Sequence, residues 1–196
     1  AGSSTGAFLP TGNKIDIIDG LEVTCMDVAM PMVLARATDF GLTGTESREE
    51  LDNNREFFQK MEPIRIKAGE LMGMGDVSQS VTPKFGIIAS AEKEGHINTR
   101  YFMPWDTHPT MAVTGSQCIA SCALTPGTIA DGMMTTTENS PVTVTLQHPL
   151  GTMDVLVDYT IEDGIFTHKS AGLKRTARKL AEGTVFVPRA IWDGTN

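Results

Sequence analysis

A Thr-Gly-Ser step runs into a segment of small and apolar residues in the middle of the chain, and this pattern is typical of an anion-binding helix start. Thr114, Gly115 and Ser116 open the segment, which extends to Leu124. The first turn of a helix leaves backbone N–H groups without intrahelical acceptors at the positive end of the helix dipole. Because a carboxylate or phosphate binds well to such donors, we predict that Thr114, Gly115 and Ser116 bind an anionic ligand.

Two more turns rich in glycine and hydroxyl side chains lie near the start of the chain. Residues 3–6 read Ser-Ser-Thr-Gly, and residues 10–13 read Pro-Thr-Gly-Asn. The simpler interpretation is ordinary turn chemistry, in which the hydroxyls bond to nearby backbone. Several such turns in one chain favour a small anionic ligand. The binding residues predicted in these turns are Ser4, Thr5, Gly6 and Thr11.

The composition bounds the class of protein and its partners. A chain of 196 residues can bury one substantial core, and 40% hydrophobic with 20% charged residues is typical of a globular protein. The formal net charge of −8 argues against nucleic acid as a partner, because phosphate contacts need clustered Lys and Arg. No stretch approaches the roughly 20 apolar residues of a membrane span, so a membrane partner is not expected either.

The three cysteines point to a reducing compartment. Cys25, Cys118 and Cys122 are odd in number and lack the spacing of a zinc site, so we expect a cytoplasmic protein without a bound metal. Cys118 and Cys122 are four residues apart and share one face of the predicted helix. Packing of that helix into a core is the main interpretation, and a redox or nucleophilic role is the alternative.

The periodicity of apolar residues predicts an α+β fold with a mostly antiparallel sheet around one apolar helix. Asp163 and Gly164 predict a hairpin turn. One helical region is predicted from residue 45 to 61, resuming past Pro63 up to the break at residues 73–75, and the other covers residues 114–124. Strands are predicted over residues 21–26, 32–35, 84–89, 98–103, 142–147, 153–160, 164–169 and 185–187.

Four motifs together resemble the PrpF-type isomerases. They are Ser-Ser-Thr-Gly-x-x-Leu-Pro-Thr-Gly-Asn at residues 3–13, His-Pro-x-Met-Ala-Val-Thr-Gly-x-x-Cys at 108–118, His-Pro-Leu-Gly-Thr at 148–152 and Arg-Thr-Ala-Arg-Lys-Leu-Ala-Glu-Gly-Thr-Val at 175–185. The motifs occur in the family's order and cover nearly the whole chain. The family includes methylaconitate isomerase and the 4-oxalomesaconate isomerases, also called tautomerases.

The resemblance implies a diaminopimelate-epimerase-like fold, in which two similar halves each wrap strands around a central helix. Residues 114–124 would form the central helix of the second half, and the N-terminus of this helix would face the cleft between the halves. The family's N-terminal half carries a Gly-Gly-Thr-Ser-Lys-Gly-like loop, a catalytic Lys and an Asn-Cys-Gly-Asn-like motif, which do not occur here. Residues 1–196 are therefore expected to be the single C-terminal domain of a two-domain isomerase whose partner is the missing N-terminal half.

The resemblance also implies the reaction, an allylic 1,3-proton shift that moves a C=C bond in a small unsaturated polycarboxylate without a cofactor. The expected substrate is 4-oxalomesaconate, and the alternative is a 2-methylaconitate cis–trans isomerase. The family's proton-transfer groups belong to the missing half, so no catalytic residue is assigned here and the chain alone is expected to be inactive. A non-catalytic half that binds a polycarboxylate, or that serves as a dimerisation piece in a homodimer, is the remaining alternative.

Two basic side chains complete the predicted binding site. Arg100, at the head of a strand, can pair bidentately with a carboxylate or can be a surface arginine. His108, just before the helix, can donate to the substrate or order the loop. The element at His148 is interpreted as structural, and residues 175–182 are interpreted as a solvated helix face.

The helix start gives one direct expectation about a variant. Replacing Gly115 with Asp should place a like charge where the substrate carboxylate binds, and the lost helix-end contact alone should cost on the order of 1–2 kcal/mol. The fold is expected to survive this change, because a helix start tolerates Asp.

Overall fold

The structure, a computed structural model, describes residues 2–93, 96–135, 139–163 and 165–195. Within these ranges, eight strands form one sheet in which neighbours along the chain are neighbours in space. The strands are β1 (Asp16–Ile18), β2 (Leu21–Asp27), β3 (Pro31–Arg36), β4 (Lys84–Ser90), β5 (His96–Phe102), β6 (Val142–His148), β7 (Gly151–Glu162) and β8 (Ile165–Leu173). The helices are a 3-10 turn at Ala37–Phe40, α1 (Arg48–Asp52), α2 (Arg55–Leu71) and α3 (Val113–Leu124).

The sheet is mixed, and its parallel pairs are joined by helical crossovers. β3 pairs with β4 and β5 pairs with β6 in parallel, whereas the other neighbouring strands pair antiparallel. A parallel pair needs a long crossover connection. Helices α1 and α2 lie in the first crossover, and α3 lies in the second. The predicted α+β fold is confirmed, as a mixed sheet in which antiparallel pairs predominate.

Strand β3 is buried on both faces because a layer of helix covers each side of the sheet. Met32 and Leu34 join the core that contains Ile119 of α3. Val33, on the opposite face, joins the core that contains Met61 of α2. Side chains alternate between the faces of a strand, so two-sided burial explains the unbroken apolar run in this strand.

The sheet curves around α3. This helix contacts β2 and β3 near the start of the sheet and β6, β7 and β8 near its end. Phe8, in the loop before β1, stacks on His168 of β8 with ring centroids 5.4 Å apart, and its carbonyl accepts from the N–H of Asp27 in β2 at 3.0 Å. The loop therefore connects distant strands of the same sheet across the helix.

The first helical region differs from its prediction. The structure has two helices there, because Ser47 and Asn54 each cap a helix start: Ser47 accepts from Glu50 N–H, and Asn54 accepts from Phe57 N–H at 3.0 Å. The expected interruption at Pro63 is wrong, since α2 continues through it. Pro63 cannot donate the usual helical hydrogen bond, yet the helix continues, with Met61 and Ile64 buried on either side of it. Among the described residues, no helix is long and apolar enough to cross a membrane.

The C-terminal predictions have mixed outcomes. β7 and β8 pair antiparallel up to Glu162 and Ile165, so the hairpin is confirmed, although Gly164 itself lies outside the described residues. The strand predicted at residues 185–187 and the helix face predicted at residues 175–182 are wrong. Residues 174–195 contain neither helix nor strand and are exposed throughout, since none of the described strands pairs with them and neither described core includes them.

Phe102 provides a test of the core between α2 and the sheet. Its ring lies 4.6 Å from that of Phe57 and 5.8 Å from that of Phe58, and its side chain is fully buried. Phe102→Ala should lower the free energy of unfolding by about 3–5 kcal/mol, because it removes buried area and leaves a cavity. Phe186→Ala, at a position that is 90% exposed, is the matched control and should stay within about 0.5 kcal/mol in urea denaturation. Equal effects of the two changes would contradict this packing.

Candidate functional site

The start of α3 presents unpaired backbone donors. The preceding residue, Ala112, has no side-chain cap, and its carbonyl accepts the first helical hydrogen bond from Ser116 N–H at 2.8 Å. In the part of the chain that the structure describes, the N–H groups of Val113, Thr114 and Gly115 have no acceptor. The donors predicted at residues 114–116 are therefore shifted by one residue. Ser116 does not contribute its hydroxyl either, because that group donates to the Val113 carbonyl at 2.7 Å.

Gly115 allows the helix start to pack directly on Tyr101. A Cβ atom at Gly115 would lie 2.1 Å from Cε2 of Tyr101, which is far inside van der Waals contact. Tyr101 is itself buried, so its ring has little room to move. This contact argues against the expectation that Gly115→Asp leaves the fold undisturbed, because any side chain at this position has to displace the ring of Tyr101.

His108, between β5 and α3, contacts the same tyrosine. Its ring lies edge-on to the Tyr101 ring at a centroid distance of 5.8 Å, and its backbone N–H donates to the backbone carbonyl of Tyr101 at 2.8 Å. Nδ1 of His108 accepts from Thr110 N–H at 3.1 Å, so the neutral ring carries its proton on Nε2. Burial lowers the pKa of His108 and favours this neutral form. His108 therefore offers an Nε2–H donor near neutral pH.

Arg100 is buried and holds backbone carbonyls. Nε donates to the Glu46 carbonyl at 2.5 Å, and Nη1 donates to the Thr99 carbonyl at 2.7 Å and to the Gln147 carbonyl at 3.4 Å. The alternative of a surface arginine is wrong, since only 5% of the residue is exposed. These bonds tie the loop at Glu46 and the end of β6 to β5. Of the guanidinium nitrogens, only Nη2 has no partner among the described residues.

The loop at residues 3–6 already binds a carboxylate, that of Asp27. Ser4 and Thr5 donate their backbone N–H groups to Asp27 Oδ2 at 2.8 Å each. The hydroxyls of Ser3 and Thr5 donate to the same carboxylate at 2.7 and 2.9 Å. Burial opposes the charged form, but these hydrogen bonds outweigh it and hold the pKa of Asp27 below its usual range. The third predicted residue of this loop, Gly6, donates its N–H to the Gly2 carbonyl.

Strand β2 runs along α3 and brings Asp27 toward the helix start. Thr24 contacts Cys122 in the third turn of the helix, and the Met26 carbonyl accepts from Cys118 Sγ at 3.5 Å in the second turn. The next residue along the strand is Asp27. The helix-start side of the molecule therefore brings together the donors at residues 113–115, Tyr101, His108 and the loop at residues 3–6.

Thr11 lies near the C-terminal end of α3, so it is not part of the site at the start of that helix. Its hydroxyl donates to Asp16 Oδ2 at 2.7 Å, and Asn13 donates to Asp16 Oδ1 at 2.8 Å. The next residue, Lys14, packs 3.1 Å from the position of a Cβ at Gly127, just beyond the C-terminal end of α3. Both hydroxyl-rich turns thus hold carboxylates of the chain itself.

The two cysteines of α3 belong to its buried face. Cys118 and Cys122 are fully buried, and burial raises the pKa of the Cys122 thiol to about 12, so the packing interpretation is confirmed. Among the described residues, no group of His, Cys, Asp or Glu is placed to hold a metal ion.

Two residues of the candidate site, Asp27 and Tyr101, were not predicted from the sequence. An acid that ends an apolar strand, and an aromatic residue next to Arg100, were the available signals.

Known proteins resemble this chain over nearly its whole length. The PrpF protein family model matches residues 1–188. The (4E)-oxalomesaconate Delta-isomerase of Novosphingobium sp. is 41% identical over 187 residues, which cover 95% of this chain and 52% of that protein. The 4-oxalomesaconate tautomerase of Pseudomonas putida is 39% identical over 194 residues, which cover 99% and 53%. A crystal structure of methylitaconate-delta-isomerase matches with a TM-score of 0.80 and 29% identity, covering 97% and 54%. The chain spans about half the length of these relatives.

The contact between Gly115 and Tyr101 makes a direct prediction. Gly115→Ala should lower the free energy of unfolding by about 1–3 kcal/mol, because the added methyl group overpacks the helix start. Gly172→Ala, where an added Cβ has no atom within 4 Å, is the matched control and should not destabilise the protein. In a Tyr101→Ala background, Gly115→Ala should cost less than it does alone. Urea denaturation of the four variants measures this, and equal costs in both backgrounds would refute the contact.

Asp27 makes a second prediction, about stability and pH. The contribution of the Asp27 carboxylate to stability is fully present above its pKa in the unfolded chain, roughly 3.9. It is lost as the pH falls through its lower pKa in the folded protein. Asp27→Asn should lower the free energy of unfolding at pH 7 by about 1–3 kcal/mol and should flatten the loss of stability below pH 4. Asp154→Asn is the control, because Asp154 accepts a solvent-exposed hydrogen bond from the Thr145 hydroxyl. This change should leave the free energy of unfolding at pH 7 and the acid denaturation curve nearly unchanged. An Asp27→Asn variant with wild-type acid denaturation would contradict the arrangement.

Proposed function

Because this chain belongs to the PrpF protein family, we propose that it is the substrate-binding half of an isomerase that acts on small unsaturated polycarboxylates. The observation that carries the proposal is the start of α3, where the N–H groups of residues 113–115 lack acceptors in the described part of the chain. His108, an additional donor, contacts the same Tyr101. Relatives named as oxalomesaconate isomerase and tautomerase support this chemistry.

The proposed reaction is an allylic 1,3-proton shift. A base removes a proton from a carbon next to a C=C bond, the double bond moves by one position, and an acid returns a proton to the far carbon. The intermediate is an extended enolate whose negative charge lies partly on carboxylate or carbonyl oxygens. Fixed N–H donors near those oxygens stabilise this charge and lower the barrier. Carbonyl and carboxylate groups beside the C–H bond acidify it, so the proposed chemistry needs no cofactor.

In this proposal, the described residues bind and stabilise the substrate. The N–H groups at residues 113–115 receive one substrate carboxylate, and His108 Nε2–H donates to a second carboxylate or to the enolate oxygen. Arg100 lies on the opposite face of β5 from Tyr101, the face that Phe102 shares, so its proposed role is to hold the loop at Glu46 and the end of β6 in place. Ser4, Thr5 and Gly6 shape the wall of the site through Asp27, rather than binding the substrate with the N–H groups that Asp27 already uses.

The base that moves the proton belongs to the other half of the enzyme. Asp27 is a poor base, because its hydrogen bonds hold its pKa low. Cys118 is a poor nucleophile and a poor base, because burial raises the pKa of its thiol far above the usual range. The chain alone is therefore proposed to bind a polycarboxylate without isomerising it.

The finer fold assignment follows the same reasoning. We infer that residues 1–196 form one domain, a diaminopimelate-epimerase-like half, and that the substrate lies between this half and its counterpart. Support comes from the sheet that curves around α3 and from relatives about twice as long. The proposed location is the cytoplasm, since all three cysteines are free thiols buried in the core.

The proposed substrate is 4-oxalomesaconate, and 2-methylaconitate is the alternative. The names of the two relatives near 40% identity favour the former. A purely binding or dimerisation half is the second candidate function. The observation that favours it is that the described residues at the helix start include no group suited to accept the proton.

His108 tests the proposed reaction. In the intact protein, which carries this chain together with its other half, His108→Ala should lower kcat for 4-oxalomesaconate isomerisation by about 10²–10³-fold, because one donor to the enolate is lost. The ultraviolet absorbance of the conjugated substrate follows the reaction. His96→Ala, at the opposite end of β5, is the control and should keep the wild-type kcat.

Two further measurements separate the candidate functions. Isothermal titration calorimetry of the 196-residue chain with aconitate should give a heat of binding, while the same chain leaves the spectrum of 4-oxalomesaconate unchanged. If the intact protein also leaves both 4-oxalomesaconate and 2-methylaconitate unchanged, the isomerase proposal fails. If the chain gives no heat with aconitate, the binding role fails as well.

A further inference from the structure

The turn between β5 and α3 sets the place of His108. Thr107, which is fully buried, pairs with Phe102 as an isolated antiparallel bridge, and the backbone N–H of His108 donates to the Tyr101 carbonyl at 2.8 Å. Phe102 belongs to the core beneath α2, whereas Tyr101 belongs to the core around α3. Since side chains alternate along extended backbone, Thr107 lies on the α2 side of the turn and His108 on the α3 side. These two neighbouring residues therefore connect the two helical layers.

Asp52, the last residue of α1, holds the Thr107 side of this turn. The backbone bonds of the bridge lie on either side of Thr107, so its own N–H points out of the bridge. Asp52 Oδ1 accepts from this N–H at 2.8 Å, and Oδ2 accepts from Nε of Arg48 at 3.0 Å. Burial opposes the charged form of Asp52, but the hydrogen bonds from Thr107 and Arg48 outweigh it and hold the pKa of Asp52 below its usual range.

Helix α1 is a fixed support for this carboxylate. A helix of five residues is not stable by itself in water, so its position depends on its contacts. A complete capping box closes its start, and Arg100 Nε of β5 donates to the Glu46 carbonyl just before it at 2.5 Å. Leu51, next to Asp52, is fully buried in the core beneath α2. Both ends of α1 are therefore tied to β5 and its turn.

We propose that Asp52 is a positioning residue, which fixes Thr107 and thereby holds the imidazole of His108 beside the start of α3. Asp52 lies on the opposite side of the turn from His108 and acts through a backbone N–H, so it does not touch the substrate. The consequence for catalysis rests on the proposed function, in which His108 Nε2–H donates to the substrate. The mechanical link from Asp52 to His108 does not depend on that function. Any side chain that presents an acceptor at the same place should therefore replace Asp52.

Kinetics of the intact protein, which carries this chain with its other half, test the consequence for catalysis. Asp52→Ala should lower kcat for 4-oxalomesaconate isomerisation by about 10–100-fold and change KM less, because a displaced donor stabilises the enolate poorly. Asp52→Asn keeps an oxygen acceptor and loses only an exposed ion pair, so its kcat should stay within about 3-fold of wild type. Glu49→Ala removes an exposed carboxylate from the same helix and should keep the wild-type kcat.

The imidazole of His108 reports the same displacement without turnover. Burial lowers its pKa, Arg48 and Lys84 lower it further, and the ring of His148 also interacts with it electrostatically. Asp52→Ala should raise the pKa of His108 toward its ordinary value, because the ring becomes less buried. Loss of the Asp52 charge alone acts in the opposite direction, since it leaves Arg48 without its carboxylate. Nitrogen-15 NMR titration of the intact protein measures this pKa, and the His108→Ala variant identifies the signal.

The two measurements separate this inference from the proposed function. If Asp52→Ala leaves both the pKa of His108 and kcat unchanged, the positioning role is wrong. If the pKa rises while kcat stays at the wild-type value, the positioning role holds and the donor role of His108 fails. Equal losses of kcat in Asp52→Ala and Asp52→Asn would assign the effect to charge and would also overturn the positioning role.

A longer side chain provides a second variant in case Asp52→Ala does not fold. Asp52→Glu keeps the charge but moves the carboxylate by one methylene group, so it should lower kcat and raise the pKa of His108 by less than Asp52→Ala. Circular dichroism checks that each variant is folded at the assay temperature. Wild-type values of both quantities in a folded Asp52→Glu variant would count against a role for the exact position of the acceptor, and so against the proposal.

Discussion

The packing of Gly115 on Tyr101 is the contact on which the candidate site depends. Because Gly115 has no side chain, the start of α3 lies directly on a buried aromatic ring at the end of β5. The same ring contacts the His108 ring, and the backbone carbonyl of Tyr101 accepts from the backbone N–H of His108. One glycine thus sets the position of three unpaired backbone donors relative to a neutral imidazole. Both groups rest on the buried ring of Tyr101, so their relative position is fixed by the core.

The carboxylates of the chain itself impose a second constraint. Asp27 and Asp16 each occupy a hydroxyl-rich turn that otherwise has the composition of an anion site. At Asp27 this carboxylate joins the N-terminal loop to the end of β2, close to α3. At Asp16 it closes the turn at the other end of the helix. The α3 start differs from both turns, since its donors have no carboxylate partner among the described residues. This difference is what makes the start of α3 the candidate for the proposed anion site.

The fold has two well-packed layers and one unpartnered segment. Helices α2 and α3 cover opposite faces of the central strands, and strands β2 to β5 are buried on both sides. Residues 174–195 lie outside both cores, although relatives share them. The relatives are about twice as long as this chain, and the segment is part of the region that they match.

The sequence by itself determined seven of the eight strands, the apolar central helix and the presence of free backbone donors at the start of that helix. These features depend on local periodicity and on the small residues at 114–116, which are visible along the chain. Only the tertiary structure decided which of the three predicted anion-binding turns keeps free donors among the described residues, because Asp27 and Asp16 reach their turns through folding. The role of Gly115 was also hidden, since Tyr101 lies fourteen residues away in sequence and meets it only when α3 packs on the sheet. Residues 175–187 were misassigned as helix and strand for the same reason: the local pattern favours regular structure there, but a strand or amphipathic helix needs a packing partner, and the described residues provide none.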